Sequence, residues 1–158
     1  RLLGAHPQSF KLLNNSYGKD DFKVYFESEV VEGADARTFQ VDDLDMGRDE
    51  SEIYSQARSM DVCDRDSFVH IKGSWYKDKK CVYHDSFKLP NANPRTFIIL
   101  TDSLGKDAKH VYYSNILMKE AHAPTFTLAN PPCEACGKDK NNCYSAPNIV
   151  PCKSFKIK

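Results

Sequence analysis

No stretch of the 158-residue chain is apolar for long enough to cross a bilayer as a helix. Neither sign of charge is in excess, since Lys and Arg number 22 and so do Asp and Glu. Without a basic surplus, no global field draws the chain toward nucleic acid or an anionic membrane surface, and neither is expected as a partner. The opening residues, RLLGAHPQSF, lack the apolar core of a signal peptide and no initiating Met precedes them, which reads as a processed mature form or a trimmed piece. Sustained helical periodicity is missing, and so is any motif that would set a nucleophile beside one of the five His. The sequence therefore assigns no catalytic residue, no cofactor and no metal, and an enzyme is not expected.

What the chain does have is an internal echo. Phe10, Phe39, Phe68, Phe97, Phe126 and Phe155 follow one another at a constant 29 residues. Val24, Ile53, Val82 and Val111 keep the same spacing, each followed by Tyr, and the last copy slips by three residues to Cys143 and Tyr144. A large apolar slot holds Tyr17, Met46, Trp75, Leu104 and Cys136, and a base–Asp pair follows it two or three residues later. Repeats of this size cannot bury an apolar face alone, so neighbouring units must stack or pack around an axis.

Within a unit, the polar stretch after the apolar slot is rich in Asp and Asn, which favour tight turns, and its flanks alternate apolar with polar residues as half-buried strands do. Each unit reads as three or four very short antiparallel strands, with a corner of Asp, Asn, His or Pro before each Phe. The expected fold is all-β: a single repetitive domain over residues 1–158, with units beginning near Phe10, Phe39, Phe68, Phe97 and Phe126. The ends look split between units, RLLG as a closing strand and SFKIK as an opening one, which suits a propeller of five small blades. An open β-meander or solenoid is the alternative, because propeller blades usually need about 40 residues or more.

The strings GKDKNNCYS and YKDKKCVYH, with the linkers GADARTF and NANPRTF, resemble the DKNYY repeat family of bacterial proteins, whose units look like DKNxVYY followed by ADPxTF. The resemblance runs from Ala5 to Phe155, while the second copy keeps only the skeleton and the cysteines depart from the pattern. It implies a repetitive β domain, often in exported or envelope-associated proteins, and carries over no catalytic residue. Some similar proteins sit near antibacterial toxin systems, which implies a toxin-neutralising role.

Six cysteines stand in the chain: Cys63, Cys81, Cys133, Cys136, Cys143 and Cys152. An even number favours disulfides in an oxidising compartment, hence a periplasmic or secreted protein. The rival is a structural zinc held by CEAC and the two later thiols, and it leaves Cys63 and Cys81 unexplained. Cys63 is expected to pair with Cys81; the other four allow three connectivities, the simplest being Cys133 with Cys152 and Cys136 with Cys143.

The repeated Asp residues, from Asp20 to Asp139, read as turn formers with solvated charges, rather than as carboxylates gathered on a cation. His6 and His122 share a corner column with Asp35, Asp64 and Asn93 and read as turn residues too. What remains is protein binding at places where units diverge from their template, with Trp, Tyr and Arg as the usual anchors. Arg58, Trp75, Tyr76 and Tyr113 are the candidates, although Trp75 can equally fill the apolar slot of its unit. The expected function is a non-enzymatic scaffold that binds another protein, such as a bacterial toxin, as a monomer or homodimer. A carbohydrate-binding or surface-recognition module is the alternative.

Overall fold

The structure is a computed structural model that describes residues 4–42, 45–129 and 134–152. Each repeat forms one four-stranded antiparallel sheet whose strands lie side by side in chain order. The first sheet comprises β1 (Lys11–Leu12), β2 (Tyr17–Lys19), β3 (Val24–Phe26) and β4 (Glu29–Val30); the second comprises β5 (Gln40–Val41), β6 (Met46–Arg48), β7 (Ile53–Ser55) and β8 (Arg58–Ser59). The third runs through β9 (Val69–Lys72), β10 (Trp75–Lys77), β11 (Val82–His84) and β12 (Phe87–Lys88), and the fourth through β13 (Ile98–Ile99), β14 (Leu104–Lys106), β15 (Val111–Tyr113) and β16 (Ile116–Leu117). The fifth holds β17 (Thr127–Leu128), β18 (Cys136–Lys138), β19 (Cys143–Ser145) and β20 (Asn148–Val150).

Every sheet begins one residue after its Phe, and the three or four strands expected per unit are four. No α-helix occurs among the described residues; the only helical turns there are short 3-10 turns at two corners, Arg65–Ser67 and Ala123–Thr125. The terminal strands expected to complete a shared blade, including Leu2 and Phe155, lie outside the described residues. The chain divides into two compact units, Arg1–Arg65 with the first two sheets and Asp66–Lys158 with the other three.

Period-two alternation explains how such short strands are held. In β3, Val24 and Tyr25 are both buried although they point to opposite faces, so each face of the sheet must meet apolar neighbours. In the first unit, Tyr17, Val24 and Val31 of one repeat pack against Ala36, Phe39 and Tyr54 of the next. The second unit repeats the arrangement, with Trp75, Val82 and Leu89 against Phe97 and Tyr112. Its last two sheets pack Leu104, Val111 and Met118 on Ala123, Phe126 and Tyr144. Ring centroids of Tyr17 and Phe39 lie 5.5 Å apart, and those of Phe39 and Tyr54 5.6 Å, tilted as aromatic pairs prefer. Fully burying each such side chain is worth about 1.5–3 kcal/mol, which a three-residue strand could not obtain alone.

The glycine that precedes the base–Asp pair in four of the five repeats has a steric cause. A Cβ built on Gly47 would stand 2.3 Å from the tip of the Phe39 ring, and on Gly105, Gly137 or Gly18 it would meet Phe97, Phe126 or Phe10 at 2.4, 2.2 or 2.6 Å. The Phe that opens each sheet thus folds its ring onto the glycine of the second strand. In the third sheet Tyr76 takes the glycine's place, and the Phe68 ring lies parallel to it at 5.5 Å and 8°. Gly47→Ala is expected to destabilise the protein by about 1–3 kcal/mol, because Phe39 is fully buried and has nowhere to move. A urea midpoint unchanged by that substitution would show that the ring yields freely.

Candidate interaction clefts

The base–Asp pair that recurs through the sequence stands where the second strand of every sheet turns into the third. Asp20 accepts two backbone hydrogen bonds on Oδ1, from Phe22 and Lys23, each at 2.8 Å, and these close the turn between β2 and β3. Its Oδ2 accepts the His6 backbone N–H at 2.8 Å and the Tyr25 hydroxyl at 2.9 Å. One carboxylate therefore ties the entry corner, the central turn and the third strand of its sheet together. Asp49 makes the same set with the N–H groups of Ser51, Glu52 and Asp35 and the hydroxyl of Tyr54. Asp139 does so with Asn141, Asn142, His122 and Tyr144. His6 and His122 are the corner residues they were expected to be.

The expectation that these aspartates carry solvated charge is corrected: Asp20, Asp49, Asp78 and Asp107 are only 3–4% exposed. Burial raises the pKa of Asp20, but its hydrogen bonds from His6, Phe22, Lys23 and Tyr25 outweigh that and hold it at about 2. Asp49 is held at about 2 in the same way. The Tyr25 hydroxyl, desolvated and bonded to the Asp20 carboxylate, is pushed up to about 12. No group of three or more metal-ligating side chains occurs among the described residues.

The base of the pair reaches forward. Lys19 donates from Nζ to the carbonyls of Ala36 and Phe39 at 2.7 and 3.0 Å, fastening the first sheet to the corner of the second. Lys106 does the same to Ala123 and Phe126 at 2.9 and 2.8 Å. Beside Lys19, Arg48 and Lys77 lie open clefts of about 230, 440 and 370 Å³ that follow the 29-residue period. Ser9, Thr38 and Ser67 stand at equivalent places in them, as do Lys19, Arg48 and Lys77. At the opposite ends of the strands in the first unit, a cleft of about 500 Å³ lies between the turn of Glu27 and Ser28 and that of Gln56 and Ala57.

The four candidate binding residues fall in different settings. Arg58 is exposed at the start of β8 and lines the last of these clefts with Glu27 and Glu29. Tyr113 is half-buried in β15 and packs on the Leu104 cluster. Trp75 and Tyr76 are corrected as partner anchors, because both are buried: Trp75 is 0% exposed, and Tyr76 lies under the Phe68 ring. The Trp75 indole N–H donates to the Thr101 carbonyl at 3.2 Å, and its ring meets His84 edge-on at 4.5 Å and Phe97 at 5.2 Å. The apolar slot of its unit accounts for it fully.

Disulfides are present, as expected, but the simplest pairing is not the one formed. Cys143, at the start of β19, is bonded to Cys152 just after β20. The two ends of an antiparallel pair meet there, since Cys143 lies opposite Val150. Cys63, Cys81 and Cys136 are also in disulfides, so the thiolates a zinc site would need are not available from them. Cys133 lies outside the described residues.

Sequence reasoning missed the internal role of the aspartates and the forward reach of the lysines. One signal could have found the first: Asp is the same in all five units, while the base beside it is Lys in four and Arg in one. No helix among the described residues is long and apolar enough to cross a membrane. No curated protein and no solved structure matches the chain. Among protein families, the one described as the DKNYY family matches residues 1–148, nearly the whole sequence. With its five sheets each built on one such repeat, the chain belongs to the DKNYY family.

Proposed function

We propose that this protein is a non-enzymatic scaffold that binds another protein outside the cytoplasm of a bacterium, with neutralisation of a toxin as its role. The observation that carries the reading is the internal use of the repeated polar groups. In four units the recurring tyrosine donates to the recurring aspartate, and in the fourth unit Tyr112 donates to the Pro90 carbonyl, so these groups serve the architecture rather than a reaction. What faces solvent is what varies from unit to unit. Equivalent positions at the start of the fourth strand hold Glu29, Arg58, Phe87, Ile116 and Asn148, and those at the start of the first hold Lys11, Gln40, Val69, Ile98 and Thr127. A common frame with a variable surface suits recognition of a protein partner.

The disulfides support export, because such bonds persist in oxidising compartments. A carbohydrate-binding module, the other reading of the sequence, loses the one tryptophan on which it would stack a sugar, since Trp75 has no exposed face. The test is capture from bacterial envelope and culture fractions on the immobilised, oxidised protein, followed by size-exclusion chromatography of the pair with mass identification. A protein partner that co-elutes in fixed stoichiometry is expected. Binding to a glycan array with no protein captured would overturn the reading.

A further inference from the structure

The cleft beside Arg48 differs from its two counterparts in one respect. Three arginines line it, Arg37, Arg48 and Arg65, where the first cleft has one, Arg37, and the third has one, Arg95. Two of the three are exchanges within repeat columns: Arg48 stands where the other units have lysine, and Arg65 where they have Pro7, Ala36, Pro94 and Ala123. Arg65 donates from a guanidinium nitrogen to the Asp49 carbonyl at 3.1 Å, which fixes its place at the cleft wall. Arg37 lies 3.4 Å from the Asp35 carboxylate and 3.6 Å from that of Glu50, so carboxylates of the protein itself already sit at one edge. Arg48 is exposed, and its side chain makes no hydrogen bond or ion pair among the described residues, whereas Lys19 in the same column bonds two carbonyls.

We propose that this cleft receives an acidic segment of the protein partner, with Arg48 taking a carboxylate between Arg37 and Arg65. The inference rests on the scaffold reading above and names the chemistry of its partner. A guanidinium presents a planar fork that matches a carboxylate in two parallel hydrogen bonds, which a lysine cannot do. The chain as a whole carries no net charge, so an acidic segment is drawn by this local feature and not by a general field. The third cleft supplies the control for charge without the arginine geometry. Its cations Lys77, Lys79 and Arg95 outnumber Asp78 by two, the same excess that Lys19, Arg37, Arg48 and Arg65 have over Asp49 and Glu50.

The test is fluorescence polarisation of a labelled octaglutamate peptide with the oxidised full chain and with the variants Arg48→Glu and Lys77→Glu. Arg48→Glu is expected to weaken binding by about tenfold or more, the loss of one charge-assisted fork, while Lys77→Glu changes it by less than about twofold. Unchanged melting temperatures confirm that both variants fold, as exposure of Arg48 leads one to expect. Equal weakening by the two variants, no binding by the unaltered chain, or displacement of the peptide by inorganic phosphate at equal concentration would each overturn the proposal. The two readings fail separately. A captured protein partner that ignores Arg48→Glu removes the cleft assignment and leaves the scaffold standing, whereas the expected peptide result with no protein captured supports the cleft and removes the scaffold.

Discussion

Asp20→Ala is expected to destabilise the protein by about 3–5 kcal/mol, more than any exposed substitution. Its carboxylate is 4% exposed and receives four donors, the backbone N–H groups of His6, Phe22 and Lys23 and the Tyr25 hydroxyl. Alanine leaves all four without an acceptor in a place water reaches poorly, and each orphaned buried donor costs about 1–3 kcal/mol, reduced where the turn can open to solvent. Asp20→Asn separates charge from shape. It keeps an oxygen for Phe22 and Lys23 but turns an amide N–H₂ toward the His6 N–H, so an intermediate loss is expected. Urea denaturation followed by circular dichroism measures both, and a midpoint for Asp20→Ala equal to that of the unaltered chain would disprove the role given to the carboxylate.

The same residues set the response to acid. Asp20 and Asp49 are both held at about 2 in the folded state, below the ordinary value near 3.9 of an unfolded chain. A depressed pKa means that the unfolded chain binds protons first, so stability from these groups is complete above about pH 4 and is lost as pH falls toward 2. Asp20→Ala removes one such group, and its stability gap from the unaltered chain should narrow through that window. A gap that stays constant from about pH 6 down to about pH 2, across the unfolded value and as far as the folded one, would show that the charge of Asp20 contributes nothing.

Trp75→Ala is the second large effect, about 3–5 kcal/mol, as for a bulky aromatic removed from a closed core. The indole is fully buried between His84 and Phe97, and the substitution also removes its hydrogen bond to Thr101. This result separates two roles that the sequence left open. A partner anchor would lose binding at constant stability, whereas a core residue loses stability first. Because Trp75 is the one tryptophan, its fluorescence in the unaltered chain reports the same burial, with a blue-shifted emission that moves red in denaturant. An emission already red in the native protein would place the indole in water.

The frame of the molecule could be read from residues that recur at a fixed distance. Phe10 to Phe126 mark the start of every sheet, and the Val–Tyr pairs mark every third strand, because period-two alternation and turn chemistry act locally along the chain. Less legible were contacts that join one part of a repeat to another. The bond from His6 to Asp20 spans 14 residues, and that from Lys19 to Phe39 spans 20. Neither distance has a local pattern, so Asp20 looked like a charged turn residue and Lys19 like its solvated neighbour. Trp75 shows the opposite limit. Its rarity suggested a recognition role, while its column position, shared with Tyr17 and Leu104, already described a core slot. The Cys143–Cys152 bond follows from the register of β19 against β20, which the sequence did not specify after the three-residue slip.

One consequence reaches beyond stability. Asp20, Asp49 and Asp139 each close their own sheet, accepting from a corner, a turn and a tyrosine that lie within one repeat length. Where a lysine joins two sheets, it bonds main-chain carbonyls, which any successor residue supplies. A tandem duplication of one repeat therefore delivers a copy with its lock already matched, and the seam asks only for the apolar residues that the copies already carry at their repeated positions. The gene can lengthen or shorten by whole copies without a compensating change elsewhere, and the new copy's outward residues are then at liberty to drift toward a different target.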